Sequence, residues 1–259
     1  MEQRTPTRTS DPAEARQLVR TEGVAILVGR GTTADDAVAT AHAVFLGEIR
    51  EVPPPAEVRE GGVGDRRRAG VDNTVALPAH TDGFAYGERY PDHFLLACAH
   101  SSQVGGESYV VDGYRVLEAL RSASPEGELV QRLIDVAVDQ TEPGMQRSVT
   151  PIVGATDRGR TMLRRFPFQR PRDDSPDPAA DAAMIDIWSE AIVAATADAP
   201  RFRLAPGEVA LIDNYRMFHG REAYADLDRQ MWRVWVWTTA AWAVPEGRLH
   251  SDSRYATAG

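Results

Sequence analysis

The sequence has little cysteine and no long apolar run, and both absences restrict what the protein can be. A single cysteine, Cys98, excludes an intrachain disulfide and any cysteine-rich zinc site. No apolar stretch approaches the roughly 20 residues that a transmembrane helix needs. Residues 1–16 also lack the apolar core of a signal peptide. We therefore expect a cytoplasmic protein.

Positive charge is also in the minority. The chain has 29 basic residues against 38 acidic ones, which gives a formal net charge of −9 at pH 7. This balance argues against nucleic acid or a membrane surface as the main partner, because both are anionic. We expect a small-molecule substrate as the partner, and the sequence leaves a homo-oligomer open.

The apolar pattern predicts one large domain of mixed α+β structure. At 259 residues, of which 42% are hydrophobic, the chain can bury one sizeable core. No repeat or domain boundary interrupts it, and many short strands with helices before and between them favour a β-barrel with helices packed on one side. Helices are predicted near residues 12–22, 33–45, 116–120, 127–136 and 185–195, and strands at 24–28, 73–77, 94–99, 108–111, 136–141, 161–166, 209–212 and 231–239.

Two polar segments, residues 52–70 and 167–180, are rich in proline, glycine and charge. They have no periodicity, so we predict that both are surface loops. Loops of this length often cover a binding site. We therefore expect both to contribute to a substrate pocket.

His80-Thr81-Asp82 places an imidazole and a carboxylate two residues apart. In a strand or at its exit, residues i and i+2 project to the same side, so both could bind one metal ion. The motif alone is weak, because a chain with 6 histidines and 38 acidic residues contains such a pair by chance. A hydrogen-bonded loop pair is the alternative. A second copy, His250-Ser251-Asp252, lies in a polar tail and is interpreted as solvated.

A further histidine, His219, follows an apolar strand near the C-terminal end. Two imidazoles and one carboxylate on one face of an octahedron are the ligands of non-haem Fe(II) oxygenases. Arg229 and Arg233 then lie on the next, tryptophan-rich strand, and on the same face if that strand is regular. A guanidinium there could bind a dicarboxylate through paired hydrogen bonds. Taken alone, an arginine on a strand is more simply a solvent-facing salt bridge.

Three motifs in this order resemble the taurine dioxygenase superfamily of Fe(II)- and 2-oxoglutarate-dependent oxygenases. They are LPAHTDG at 77–83, GGESYVVDGYRVLEAL at 105–120 and FRLAPGEVALIDNYRMFHGREAY at 202–224. Within the superfamily they are most similar to the catalytic domain of γ-butyrobetaine hydroxylases, over about residues 70–240. The resemblance implies a double-stranded β-helix (jelly-roll) core with flanking helices. It implies one oxygenase domain over residues 1–259, with a flexible tail at 241–259.

The resemblance also implies a reaction and its cofactors. Fe(II) would be held by His80, Asp82 and His219, and 2-oxoglutarate and O2 would be co-substrates. The enzyme would hydroxylate or desaturate an unactivated C–H bond of a small polar metabolite, an amino acid or a derivative being one candidate. Succinate and CO2 would be released. Two alternatives remain: a non-catalytic barrel that binds a small carboxylate, and a zinc hydrolase with the same ligands.

Four residues would bind 2-oxoglutarate if the resemblance holds. Arg233 would pair with its distal carboxylate, and Ser108 would donate a hydrogen bond to the same group. Arg229 would lie near the other carboxylate, although the two arginines could exchange roles. Asn73 resembles an asparagine that contacts the co-substrate, and a strand-end asparagine is the alternative interpretation.

The sequence departs from the superfamily's enzymes for quaternary amines. It has too few cysteines and too short a chain for their N-terminal zinc domain. Their aromatic cage residues are also absent around Arg59 and Ala76. Trimethylammonium is therefore not the expected substrate group. Candidate substrate contacts are Phe84, Tyr86 and Trp235, and core packing is the alternative for each.

The carboxylate at Asp82 predicts the outcome of the reaction. In halogenases related to this superfamily, a small residue replaces the carboxylate and leaves room for chloride. We expect oxygenated or desaturated product and no chlorinated product at high chloride, as measured by mass spectrometry. Asp82→Gly should abolish hydroxylation, because one of three protein ligands and its charge are lost. A chlorinated product, or full activity of Asp82→Ala, would contradict this interpretation.

Overall fold

The structure is a computed structural model that describes residues 4–62, 74–124, 127–141 and 147–246. Its described part contains both helices and strands, as predicted. No helix among these residues has the length and apolar character needed to cross a membrane. The helices are α1 (Pro12–Glu22), α2 (Ala34–Val44), α3 (Gly113–Ala123), α4 (Glu128–Asp135) and α5 (Pro178–Ala197). The strands are β1 (Arg8–Thr9), β2 (Val24–Leu27), β3 (Ile49–Glu51), β4 (Arg59–Gly62), β5 (Leu77–His80), β6 (His93–His100), β7 (Ser108–Asp112), β8 (Ala137–Asp139), β9 (Val149–Pro151), β10 (Val153–Ala155), β11 (Thr161–Leu163), β12 (Val209–Asp213), β13 (Met217–Arg221) and β14 (Gln230–Thr238).

The first two helices begin and end at the residues that the sequence predicts. The Asp11 side chain accepts a hydrogen bond from the Ala13 backbone N–H at the start of α1, and Gly23 ends the helix with a φ of 84°. Thr33 and Asp36 form a complete capping box at the start of α2. Both helices pack with buried apolar residues on the large sheet. These caps confirm the predicted boundaries.

The large sheet has the strand order β1-β2-β12-β6-β14-β3, with β4 also paired to β14. Its two faces contact different parts of the core. One face packs against α1 and α2 through Leu95 and Val234. The opposite face presents Phe94 and Trp235, which belong to a separate core cluster. Alternate residues of one strand point to opposite faces, so β14 contributes to both.

A smaller antiparallel sheet, β5-β13-β7, lies on the side of Phe94 and Trp235. Helices α3, α4 and α5 cover its outer face, where Trp188 of α5 packs edge-on against Phe218 with ring centroids 5.6 Å apart. Val110 of β7 instead joins the core cluster of Phe94 on the large sheet. The two sheets therefore face each other, and residues on their facing sides line a cavity.

Some predicted boundaries are wrong. The strand predicted at residues 73–77 is β5, which begins at Leu77; Asn73 lies outside the described residues. Part of the loop predicted at 52–70 is strand β4, which pairs with β14 although its residues lack apolar alternation. Pairing with a longer strand, rather than side-chain burial, stabilises it. Within the loop predicted at 167–180, α5 already begins at Pro178, because Asp177 caps it.

The flexible tail was predicted to begin at residue 241, but the first residues of that segment pack on the core. Ala241 is buried, and the Trp242 backbone N–H donates a hydrogen bond to the Tyr215 hydroxyl over 3.0 Å. The structure describes the chain as far as Glu246. The second His-x-Asp motif, at 250–252, lies outside the described residues.

A buried ionic cluster connects the large sheet to the β10–β11 hairpin. The Asp92 carboxylate is fully buried and accepts hydrogen bonds from Thr238 and, over 3.1 Å, from Arg160. Arg160 also donates to Asp213 over 2.6 Å. Burial raises the pKa of Asp92, but His93, Arg160 and the Thr238 hydroxyl outweigh it and lower the pKa to about 2. Asp92 is therefore charged at neutral pH, and its charge is compensated inside the fold.

Arg160→Ala should destabilise the fold by about 3–5 kcal/mol, because it leaves two buried carboxylates without their guanidinium partner. The Asp92 contribution is present above its unfolded pKa of 3.8 and is lost as pH falls towards its folded pKa of about 2. In the Arg160→Ala variant the pKa of Asp92 in the folded protein rises, so acid unfolding should begin at a higher pH than in the unmodified protein. Urea unfolding measured from about pH 2, the folded pKa of Asp92, up to roughly pH 7 would cover the pH range of this linkage and measure both effects.

Arg121→Ala is the matched control, because Arg121 forms an exposed ion pair with Glu118 on α3. Such surface pairs contribute about 0–1 kcal/mol. Equal destabilisation by both substitutions would contradict a structural role for the buried cluster.

Candidate metal centre

His80 is the last residue of β5, and Asp82 follows two residues later. The His80 Nδ1 atom lies 2.9 Å from the Pro78 carbonyl oxygen. This contact favours the tautomer in which Nδ1 is protonated and donates, which leaves Nε2 free to bind a metal ion. The buried Thr81 between them is fixed by hydrogen bonds in both directions with the Arg165 backbone. The two side chains therefore point to one place, with Nε2 3.4 Å from Asp82 Oδ1.

Asn214 holds the backbone of Asp82 in position. Its carboxamide oxygen accepts from the Asp82 backbone N–H over 2.9 Å, and its amide group donates to the Asp82 carbonyl over 2.9 Å. The same amide group donates to the Pro91 carbonyl. Asn214 is fully buried directly after β12. Asn214 has no predicted role, although a polar residue at the end of the apolar strand at 209–212 was a signal in the sequence.

His219 completes the cluster from the neighbouring strand. It lies on β13 directly opposite His80 of β5, and the ring centroids are 4.2 Å apart. Its Nε2 is 3.8 Å from Asp82 Oδ1, and its ring packs on Phe94 with centroids 4.3 Å apart. The possible ligand atoms of His80, Asp82 and His219 all lie within 4.8 Å of one another. The strand register thus brings together all three residues of the predicted metal site.

The electrostatic environment keeps Asp82 and His219 in their metal-binding states. Burial raises the pKa of Asp82, but Arg233 and the two histidines outweigh it, so the net pKa lies well below its usual value. Burial and the neighbouring His80 hold the pKa of His219 well below its usual range. A charged carboxylate and a neutral imidazole are the forms that bind divalent metals. Two imidazoles and one carboxylate that converge in this way fit Fe(II).

Two residues of β14 also contact the Asp82 carboxylate. The Trp235 indole N–H donates to Oδ2 over 2.8 Å, and Arg233 lies 3.1 Å from the same oxygen. The Arg233 guanidinium also stacks 4.7 Å above the Trp235 ring. Trp235, a predicted substrate contact, thus donates a hydrogen bond to the carboxylate of the predicted metal site. Asp82 cannot turn away without breaking these contacts.

A cavity of about 320 Å³ opens onto the three ligand residues. Strands from both sheets line it, and so do Ser108, Arg229, Arg233 and Trp235 from the sequence predictions. Phe166–Phe168, at the edge of the predicted 167–180 loop, also contribute. Tyr86 is not among the described residues that line the cavity; it packs edge-on against Trp235 and Trp237 instead. The side chain of Phe84, like Asn73, lies outside the described part of the chain.

Arg229 is the most desolvated of the cationic groups in the cavity. It is 6% exposed, and burial together with the charge of Arg221 lowers its pKa to about 10. Its guanidinium lies 5.0 Å from the Tyr224 ring, and its Nε atom has no hydrogen-bond partner among the described residues. No ion pair with a carboxylate is found for it within the described ranges. Arg229 is still charged at neutral pH, so it offers a binding site for an anion.

The family model described as "Taurine catabolism dioxygenase TauD, TfdA family" matches residues 3–235 of this chain. Among curated proteins, the γ-butyrobetaine dioxygenase of Homo sapiens is 29% identical over 168 residues, which cover 58% of this chain and 41% of the relative. The chain thus spans about two fifths of the length of that relative.

Solved structures agree with this match at the level of the fold. A structure of asparagine oxygenase in complex with Fe(II), 3-hydroxyasparagine and succinate is 19% identical with a TM-score of 0.61, and the match covers 88% of this chain and 78% of that one. A structure of the non-haem iron oxygenase OrfP with Fe and α-ketoglutaric acid is 16% identical with a TM-score of 0.64, covering 93% and 82%. At these identities the likeness shows the fold alone.

Asn214→Ala should weaken metal binding, because Asp82 loses the side chain that fixes its backbone. Groups that support metal ligands in this way typically contribute roughly 10- to 100-fold in affinity. The free energy of unfolding should also fall by about 2 kcal/mol or more, because buried backbone groups lose their partners. Anaerobic Fe(II) titration and urea unfolding would measure the two effects.

Gln140→Ala is the matched control. Gln140 is a fully buried amide that hydrogen-bonds to Thr150 and Gln169 rather than to the ligand residues. It should destabilise the fold without weakening metal affinity. An equal loss of metal affinity in both variants would contradict a specific role for Asn214.

Proposed function

This chain belongs to the taurine catabolism dioxygenase TauD/TfdA family, and on that premise we propose that it is an Fe(II)- and 2-oxoglutarate-dependent oxygenase. It would hydroxylate or desaturate an unactivated C–H bond of a small, amino-acid-like metabolite. The observation that carries the proposal is the convergence of His80, Asp82 and His219 in a cavity that also holds the buried cation Arg229.

The residues of this site have separate tasks. His80, Asp82 and His219 would hold Fe(II), and the contact of His80 Nδ1 with the Pro78 carbonyl favours the tautomer that metal binding needs. When bound, the iron with 2-oxoglutarate and O2 supplies the oxidant for the C–H bond, with release of succinate and CO2. The protein positions the substrate and excludes water, which the largely apolar cavity wall supports.

The geometry favours Arg229 for the distal carboxylate of 2-oxoglutarate. Arg233 is held against Asp82 in the metal cluster, whereas Arg229 has no carboxylate partner among the described residues. A Cβ on Gly106 would lie 3.3 Å from Arg229 Nε, so this guanidinium packs next to the segment that leads to Ser108. Arg229 and Ser108 together would bind the distal group. These contacts support the alternative that the sequence left open, in which Arg229 rather than Arg233 binds the distal carboxylate.

Similar proteins indicate the class of substrate. The description of the family model names taurine, and the name of the curated relative contains γ-butyrobetaine. The asparagine oxygenase structure contains 3-hydroxyasparagine. All three compounds are small molecules. We propose a substrate of that size for this chain.

We also propose that the two facing sheets form a double-stranded β-helix, that residues 1–259 form a single domain, and that the protein is cytoplasmic.

The experiment that tests the function has two parts. Fe(II) and 2-oxoglutarate added without oxygen should give the visible absorption that such chelates show in this family. Succinate release in air should then be stimulated by a small acidic or amino-acid-like compound. Absorption without succinate release from any substrate would favour the non-catalytic binding protein. Zn(II)-dependent hydrolysis without 2-oxoglutarate dependence would favour the hydrolase.

Arg229→Ala should raise the apparent KM for 2-oxoglutarate by roughly 30- to 1000-fold, because a charge-assisted pair in a buried site contributes about 2–4 kcal/mol. Iron affinity should be unchanged. Arg233→Ala should affect the KM for 2-oxoglutarate less and iron retention more, because it releases Asp82. Arg201→Ala, at a partly exposed ion pair with Glu222, is the control. The opposite ranking would restore the original assignment of Arg233 to the distal carboxylate.

A further inference from the structure

We infer that the substrate carries an uncharged, apolar side chain, and that Leu77 and Phe168 select it by forming an apolar wall beside the metal centre. This inference rests on the proposed function, because it takes the three ligand residues as an Fe(II) site. Leu77 ends the strand that was predicted at 73–77 and has no predicted role at the site.

A β-bulge in β5 turns Leu77 towards the cavity. His80 pairs with His219 of β13. The next pair is Leu77 with Arg221, so β5 takes three residue steps where β13 takes two. In a regular strand Leu77 would share the face of Ala79, which packs in the outer core cluster under the helices. The extra residue places Leu77 on the face of His80 instead, where it lines the cavity. Bulges that redirect a side chain in this way are common next to active sites.

Hydrogen bonds to two consecutive carbonyl groups hold the bulge. The Tyr109 hydroxyl donates to the Leu77 carbonyl over 3.1 Å, and the Pro78 carbonyl lies 2.9 Å from His80 Nδ1. Pro78 has no backbone N–H, so the bulge leaves no donor unpaired at that residue. The same distortion of β5 therefore orients a metal ligand and directs a leucine side chain into the cavity.

Leu77 lies away from the group that binds the distal end of 2-oxoglutarate in the proposed function. Arg221 of β13 is opposite Leu77 of β5 on one side and opposite Ser108 of β7 on the other. Neighbouring strands are about 4.8 Å apart, so roughly 10 Å separates Leu77 from Ser108. A ligand group that contacts Leu77 therefore belongs to the substrate, and not to the end of 2-oxoglutarate bound at Ser108 and Arg229.

The chain after β11 adds aromatic surface to the same wall. The Arg165 carbonyl accepts from the Thr81 backbone N–H over 3.1 Å, which holds this segment beside the exit of β5. Phe166 is buried, whereas Phe168 is 37% exposed and Leu77 is 41% exposed, and all three line the cavity. Covering large apolar side chains is favourable, and such groups in a cavity commonly contact a ligand.

The charged residue opposite Leu77 is already engaged elsewhere. The Arg221 guanidinium donates to the Glu222 and Val75 carbonyls, each over 3.0 Å, and lies 4.7 Å from the Tyr224 ring. A polar group bound against Leu77 would lose its hydration with little hydrogen bonding in return, which is unfavourable. An apolar group has no such cost, so the wall discriminates in its favour.

Three pairs of compounds test this preference without assuming a head group. Each pair has one head group and differs at the other end, where an isopropyl group is replaced by a carboxamide of similar shape. The pairs are leucine and asparagine, 4-methylpentanoate and succinamate, and isopentylamine and β-alaninamide. Each compound is titrated into the protein loaded anaerobically with Fe(II) and 2-oxoglutarate, with the visible absorption as readout. In at least one pair the apolar member should bind, and roughly 10-fold or more tightly than its amide partner.

Leu77→Asn removes apolar surface at nearly constant side-chain volume. It should weaken binding of the apolar member roughly 10-fold and leave the amide member and the affinity for 2-oxoglutarate unchanged. Phe168→Ser should act in the same direction from a different segment of the chain. Leu227→Asn is the matched control, because Leu227 is 51% exposed and is not among the described residues that line the cavity. An unchanged preference in both Leu77→Asn and Phe168→Ser, or an equal loss in Leu227→Asn, contradicts the inference.

Calorimetric titration of the metal-free protein distinguishes failure of the apolar wall from failure of the proposed function. If Fe(II) and 2-oxoglutarate do not bind, the proposed function fails. A preference for the apolar compounds that the metal-free protein shows and Leu77→Asn loses would still support the apolar wall in that case. Amide compounds that bind as tightly as their apolar partners, or no binding of any apolar compound to either form, would overturn the inference.

Discussion

The site depends on keeping one buried carboxylate charged and fixed in orientation. Burial alone would protonate Asp82, and Arg233 with two histidines reverses that tendency. Asn214 fixes its backbone and Trp235 fixes one carboxylate oxygen. Removing any one partner leaves the others to compensate a charge in a low-dielectric interior, where unpaired polar groups are costly. The carboxylate therefore connects the metal cluster, the hydrogen-bonded backbone and the cationic wall into one cooperative unit.

Strand register accounts for how distant parts of the chain meet at this carboxylate. His80 and His219 are opposite each other across β5 and β13, and Arg59 and Arg233 are opposite each other across β4 and β14. A shift of one residue would turn either pair away from the cavity, because side chains alternate between faces. The core clusters on each sheet oppose such a shift, since it would expose their apolar residues. Packing far from the cavity thus determines the geometry inside it.

The sequence predicted those parts that depend on local chemistry. The boundaries of the first two helices and the His80–Asp82 pair follow from short-range patterns, and the resemblance supplied the roles of His219 and the two arginines. Strand β4 escaped prediction because Arg59–Gly62 has no apolar alternation and is held by pairing with β14. Asn214 gained its importance from Asp82, a residue distant in sequence. The choice between Arg229 and Arg233 likewise needed knowledge of which guanidinium lies beside Asp82.

The chain contains no lysine, so apart from histidine every cationic side chain is an arginine. Arginine stays protonated throughout the physiological pH range, which makes the positive wall of the cavity insensitive to pH. The protein as a whole carries a net charge of −9, so an approaching anion meets repulsion at long range and attraction only near the cavity. At physiological ionic strength, screening acts over about 8 Å. Salt therefore screens much of the long-range repulsion between the protein's net charge and an anion. The partly buried arginines are screened less, so they still attract the anion near the cavity. Anion binding should consequently weaken less with added salt than it would on an exposed basic surface.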